Sequence, residues 1–132
     1  MEQVEKYEAG LCNIGRQEIS IRKKLFSFFL LTTIIMACLS CCWYQSSWML
    51  ILLFLSFFFT FLLLIEIQMK FCILFGLFNL YNFSSPGKLE TVSSSQHSKK
   101  DRRKAIKILT VSSLAALLFT YLDYMVVIYL YF

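Results

Sequence analysis

Residues 25–65 read LFSFFLLTTIIMACLSCCWYQSSWMLILLFLSFFFTFLLLI, forty-one residues without one Asp, Glu, Lys, Arg or His. A bilayer core of ~30 Å is crossed by about 20 helical residues, so this stretch is long enough for two crossings. Its one polar interruption is Gln45-Ser46-Ser47, flanked by Trp43, Tyr44 and Trp48. Trp and Tyr settle at the headgroup level, where the turn of a helical hairpin belongs. The sequence therefore predicts a first span over Leu25–Tyr44 and a second over Trp48–Ile65.

Working outward, the last stretch, Ile108–Phe132, carries a single charge, Asp123, and ends in Tyr129, Tyr131 and Phe132. It is a third spanning candidate. Between the second and third lies a shorter apolar piece, Phe71–Phe83. As a helix it would measure ~20 Å, too short to cross unaided. It is expected to lie at the interface, dip in and return, or form half of a broken span.

Composition agrees with this reading. The 132 residues are 58% hydrophobic and 16% charged, against roughly 45–50% and 25% in soluble domains. The spans are apolar all round, which marks a helix in lipid or buried on every side. A chain this short has no surrounding protein to bury three such helices. The expected fold class is all-α: a polytopic membrane protein with three transmembrane helices and one short ambiguous segment. The run at Leu25 is longer than the apolar core of a signal peptide and starts late, so it reads as a signal anchor.

The charges suggest an orientation. Arg16, Arg22, Lys23 and Lys24 precede the first span, and Lys70 follows the second. By the positive-inside rule, residues 1–24 form a cytosolic segment and the Gln45–Ser47 turn lies outside. Residues 25–83 then hold the hairpin and the short apolar piece. Residues 84–107 are expected to be a Ser-rich polybasic loop, opening with the breaker Ser84-Ser85-Pro86-Gly87 and closing with Lys99, Lys100, Arg102, Arg103, Lys104 and Lys107. Residues 108–132 form the last transmembrane helix. A four-span alternative would put the basic loop outside, against the rule.

The net charge of +5 invites a nucleic-acid reading, but the basic run abuts a span and has no aromatics interleaved for base stacking. A topology determinant that also meets anionic lipid is the simpler account. The partners implied are the bilayer and other membrane proteins, or a second copy of the chain, in the plasma membrane or an endomembrane. Phosphorylation within Ser93–Ser98 would weaken lipid contact, although a solvated linker is the plainer account of the serines.

Asp123 is the most informative polar residue, because intramembrane acids are rare and costly. Pairing inside the bundle is the plain explanation, a partner contact the next, and proton or ion handling the third. A relay would want further ionisable groups at membrane depth. Ser56 with Thr60, and Ser112 with Ala116, are small-xxx-small pairs that let helices approach closely. With Asp123 they are the candidate helix-contact residues for partner proteins. Glu66 and Lys70 stand at i, i+4 and read as an interfacial ion pair. The five cysteines lack CxxC spacing. Cys12 and Cys72, on the predicted cytosolic side, are candidates for palmitoylation. Asn82-Phe83-Ser84 matches a glycosylation acceptor, predicted to face the cytosol and stay unused. Ser, His and acid residues show no spacing that assembles a catalytic site, so no enzyme activity and no cofactor are expected.

Three patterns resemble the chemokine-like factor family of MARVEL-domain proteins. A basic stretch enters span one, followed by a short turn into a Leu/Phe-rich span two. Phe75-Gly76-Leu77-Phe78-Asn79-Leu80-Tyr81-Asn82 has the spacing of that family's aromatic-Pro-Leu-apolar-Asp-Leu-x-Asn pattern, with Gly76 for Pro and Asn79 for Asp. The basic Lys99–Lys104 run leads to a last span with Ser113-Leu114 and Asp123. The resemblance covers roughly Ile21 to Tyr129. The chain departs from it where a third span is cut short near Phe83, as in a divergent or truncated relative. It implies a MARVEL-like bundle and non-enzymatic work: chemokine-like signalling, or chaperoning and trafficking of membrane proteins.

Overall fold

The computed structural model describes residues 6–42, 46–85 and 87–132. Among the described residues stand four helices and one two-stranded ribbon: α1 (Arg16–Ser40), α2 (Ser47–Met69), α3 (Ile73–Phe78), β1 (Leu80–Tyr81), β2 (Glu90–Thr91) and α4 (Ser95–Tyr131). Three of these, α1, α2 and α4, are long and apolar enough to cross a membrane. The chain is an all-α polytopic membrane protein. Trp43, Tyr44, Gln45 and Pro86, on which the expected outer turn and loop breaker partly rest, lie outside the described residues.

α2 lies between α1 and α4 and packs along both, while α1 and α4 touch much less. The α1–α2 seam carries Phe29 stacked on Phe59, centroids 5.1 Å apart, and a Thr33–Thr60 hydroxyl pair at 2.9 Å. The α2–α4 seam is built on Phe57 and Phe61, whose rings stand 5.7 and 4.9 Å from Phe119. The rest of the chain buries no more than 22% of the most apolar stretch of any span. Most of the apolar surface therefore faces outward, as lipid-facing helices require.

The short apolar piece Phe71–Phe83 does not span. Lys70 closes α2 in the left-handed region (φ 50°), its N–H bonded to the carbonyls of Glu66 and Ile67. The chain then turns through the buried Phe71 and Cys72 into α3. Asn79 ends α3, again left-handed (φ 59°), a conformation Asn tolerates better than most residues. β1 pairs antiparallel with β2, Leu80 opposite Thr91 and Tyr81 opposite Glu90. α3 also explains its one glycine. A Cβ on Gly76 would stand 2.7 Å from the Phe71 ring and 3.1 Å from the Asp101 carbonyl, so only glycine lets α3 sit this close to α4. Beneath it Phe71, Ile73, Ala105 and Ile108 form the compact core of this end.

The last helix corrects an expected boundary. It begins at Ser95 rather than Ile108, so much of the expected 84–107 loop is helical. At 1.5 Å per residue its 37 residues reach about 55 Å, well beyond a ~30 Å bilayer core. The span supplies the costly helix nucleus, and Lys, Arg, Gln and Ala propagate it readily. Burial of Asp101 and Ala105, both 0% exposed, then anchors this polar extension to the rest of the chain.

Candidate functional site

The segment before α1 is woven through the basic end of the bundle. Asn13, fully buried, recognises the backbone of Cys72: the Cys72 N–H donates to Asn13 Oδ1 at 2.7 Å, and Asn13 Nδ2 donates to the Cys72 carbonyl at 3.0 Å. The Asn13 N–H donates to the Lys70 carbonyl at 3.2 Å. Asn82 N–H donates to the Asn13 carbonyl at 3.0 Å, and Gly15 N–H to the Asn82 carbonyl at 2.8 Å. One short segment thus satisfies the turn that leaves α2 and the strand that follows α3. Buried backbone groups need partners, and this interleaving supplies them where no regular sheet can.

Three acids fix this interleaved segment, the clasp, to the long helices. Glu66, 6% exposed, accepts from Arg22 Nε at 3.2 Å and from the Ile73 N–H at 2.8 Å. It therefore joins α1 to α2 and satisfies the first amide of α3. Arg22 also donates to Glu18 at 2.8 Å, and Glu18 accepts from Asn82 Nδ2 at 3.0 Å. Asp101 accepts from Tyr7 Oη and from the Gly10 N–H, both at 2.6 Å. Gly10 adopts φ +74° to make that approach. Tyr7 is held from its other side by a stacked Tyr81, centroids 4.6 Å apart. Burial, with the bond to Asp101 and its charge, pushes the Tyr7 phenol above its ordinary value. Lys104 spans the clasp edge, donating to the Leu11 carbonyl at 2.5 Å and standing 4.8 Å over the Phe71 ring.

Several sequence expectations meet a specific geometry here. Glu66 is a buried strut rather than an interfacial surface charge. Cys72 is 2% exposed, and burial raises its thiol pKa despite the neighbouring Arg22. A protonated thiol in close packing leaves no room for an acyl chain, which removes Cys72 as a palmitoylation candidate in this fold. Cys12 is partly exposed, its Sγ 3.4 Å from the Lys6 carbonyl, and keeps that possibility. Asn82 of the glycosylation triplet is 2% exposed, with its side-chain amide engaged by Glu18 and the Ser85 carbonyl.

The proposed partner-facing small residues are spent inside the chain. Ser56 and Thr60 are 8% and 6% exposed, and Ser112 and Ala116 are both 0%. They are helix-contact residues, but for this chain's own helices, because small side chains at a seam are what let α2 approach its neighbours. Asp123 accepts from Ser40 Oγ at 2.8 Å, tying α4 to the end of α1. Level with the α1–α2 turn, it stands near the end of the bundle rather than its middle. The cavity beside it measures about 10 Å³, water-sized at most, so a tie between helices describes it better than a pathway. In the basic run Lys99, Lys100, Arg102, Arg103 and Lys107 are exposed, and Lys104 is half-buried.

Asn13 and Asp101 escaped the sequence reading. Asp101 had a signal, the lone acid within a run of bases; Asn13 had none, since its role exists only once Cys72 is brought to it. Among the described residues no cluster of His, Cys, Asp and Glu could hold a metal ion. No family model, curated protein or solved structure matches the chain. The likeness of residues 75–82 to the MARVEL pattern thus rests on those residues, which the fold places in α3 and β1 rather than in a span.

Proposed function

We propose that this chain is a non-enzymatic membrane accessory that docks a transmembrane helix of another membrane protein, aiding its assembly or traffic. The observation that carries this reading is a groove of about 380 Å³ on the outer surface between α2 and α4, lined by Leu50, Ile51, Phe54, Leu117, Thr120 and Tyr121. Thr120 Oγ1 is buried there without a hydrogen-bond partner among the described residues. With Thr120 Oγ1 covered by the chain itself, the surface the groove presents is almost wholly apolar, suited to the close side-chain packing by which transmembrane helices associate. The clasp supports the same reading, since it holds α2 and α4 in register from one end and so keeps the groove's walls fixed.

The test is a photoreactive residue at Leu117, introduced in the full chain in native membranes. A reproducible crosslinked partner, lost when Thr120 is replaced by Trp to fill the groove, is the expected result. Recovery of lipid alone would sink the proposal, and recovery of a second copy would replace it with self-association.

A further inference from the structure

The clasp leaves a second and larger opening at the basic end of the α2–α4 pair. It is a cleft of about 630 Å³, within the range of small-molecule sites. Its rim carries Arg103, Lys104 and Lys107, and its floor is formed with Ile65, Ile108 and Val111. No carboxylate lines it. Asp101, the nearest acid on α4, is fully buried, its two oxygens engaged by Tyr7 and by Gly10 at the cleft's edge. Lys104 is committed to the Leu11 carbonyl, whereas Arg103 and Lys107 have no ion-pair or hydrogen-bond partner among the described residues. These two are one helical turn apart on α4, and Val111 stands one turn further on. From Arg103 to Val111 the cleft therefore changes from cationic to apolar over about 12 Å.

We infer that this cleft binds one anionic phospholipid of the membrane, its phosphate on Arg103 and Lys107 and an acyl chain along Ile65, Ile108 and Val111. A free anion would fill only the rim, and a neutral lipid would leave two cations uncompensated. The polarity change coincides with the start of the apolar part of α4, the depth at which a headgroup gives way to its chains. Arg suits such a site because its planar donors match phosphate oxygens two at a time. The site is separate from the groove around Thr120, so either assignment stands or falls without the other.

The experiment uses the purified full chain in a neutral detergent, titrated with phosphatidylserine, phosphatidylcholine or inorganic phosphate and read by native mass spectrometry. One phosphatidylserine adduct is expected, in preference to phosphatidylcholine, with millimolar phosphate failing to compete. The double variant R103Q/K107Q should bind roughly thirtyfold more weakly, the loss of two near-surface basic charges. The charge-matched pair K99Q/R102Q, outside the cleft, should bind as the parent does. Val111→Trp, which fills the apolar end at an already exposed position, should weaken phosphatidylserine binding with the rim intact. Equal loss in K99Q/R102Q would reduce the effect to diffuse electrostatics and overturn the site. Equal binding of phosphatidylcholine, competition by phosphate, or an unaffected Val111→Trp would each overturn it as well.

Discussion

At one end of the bundle four buried polar side chains, Asn13, Glu66, Asn82 and Asp101, stitch the chain to itself; at the other, among the described residues, α4 is tied to the end of α1 by Ser40 with Asp123 and by Tyr131 with the Cys41 carbonyl. The difference follows from what each end must join. The far end joins α1 to α2 over the few residues between Ser40 and Ser47. The basic end brings together the segment before α1, the turn out of α2, α3, the β1–β2 ribbon and the polar extension of α4. Irregular backbone there has no ladder to satisfy its N–H and C=O groups, so side-chain amides and carboxylates do it. The spans between the ends are held mainly by close approach of small residues and ring packing, which contribute modestly in lipid. Stability and order should therefore be concentrated at the basic end.

The sharpest way to break that asymmetry is Arg22→Ala. With side chains only 11% and 7% exposed, Arg22 and Glu66 form a buried pair, and removing one partner of such a pair costs about 3–5 kcal/mol. Thermal unfolding in detergent should show a large loss. Glu66→Gln should cost less, because the amide oxygen still accepts from Ile73. Asp101→Ala comes next, at about 2–3 kcal/mol, since it strands the Tyr7 hydroxyl and the Gly10 N–H. Its signature should be local: protease cleavage ahead of α1 at rates the parent does not show. Unchanged cleavage would mean that the bonds of Asn13, Gly15 and Lys104 suffice to hold the segment.

Gly76→Ala tests packing rather than polarity. The added methyl would meet the buried Phe71 ring and the α4 backbone, and overpacking of this kind costs about 1–3 kcal/mol. Melting should fall accordingly, with hydrogen exchange raised in α3. The pH dependence of two groups has a definite sign. Tyr7 and Cys72 both have folded pKa values raised above their ordinary values of 10.0 and 9.0. Each contributes stability in full below its ordinary value, lost as pH climbs through the raised one. The Tyr7 and Cys72 contributions should fall from about pH 9 upward, opposed in part by Lys104, whose pKa burial lowers, and the net effect is read as a change in melting temperature. Tyr7→Phe should flatten the part of that dependence above pH 10.

What the sequence made legible follows the same division. The three spans were readable because lipid imposes a long-range rule: twenty apolar residues or none. The start of α4 was not, because Lys, Arg and Ser in water are compatible with loop or helix, and only contacts of Asp101 and Ala105 decide between them. Ser56, Thr60, Ser112 and Ala116 were recognised as contact residues from their spacing, yet spacing does not say whose helix they contact. The roles of Asn13 and Asn82 depend on chain segments brought together from far apart in sequence, which no local pattern encodes.

The smallest effect should come from Asp123→Asn, the residue that looked most consequential in isolation. Its bond from Ser40 is part-buried, and Ser40 Oγ also lies 2.6 Å from the Ala37 carbonyl. A hydroxyl has one proton, so the two acceptors compete for it. With Asn in place, Ser40 can donate to Ala37 while the new amide donates to Ser40. Polar contacts between membrane helices average about 0.6 kcal/mol in measured cycles, and the substitution preserves one. A melting shift small beside that of Arg22→Ala is expected, with protection before α1 unchanged. If Asp123→Asn instead destabilised the chain as much as Arg22→Ala, the far end would carry as large a load as the buried ion pair at the basic end. The contrast between the two ends would then have to be abandoned.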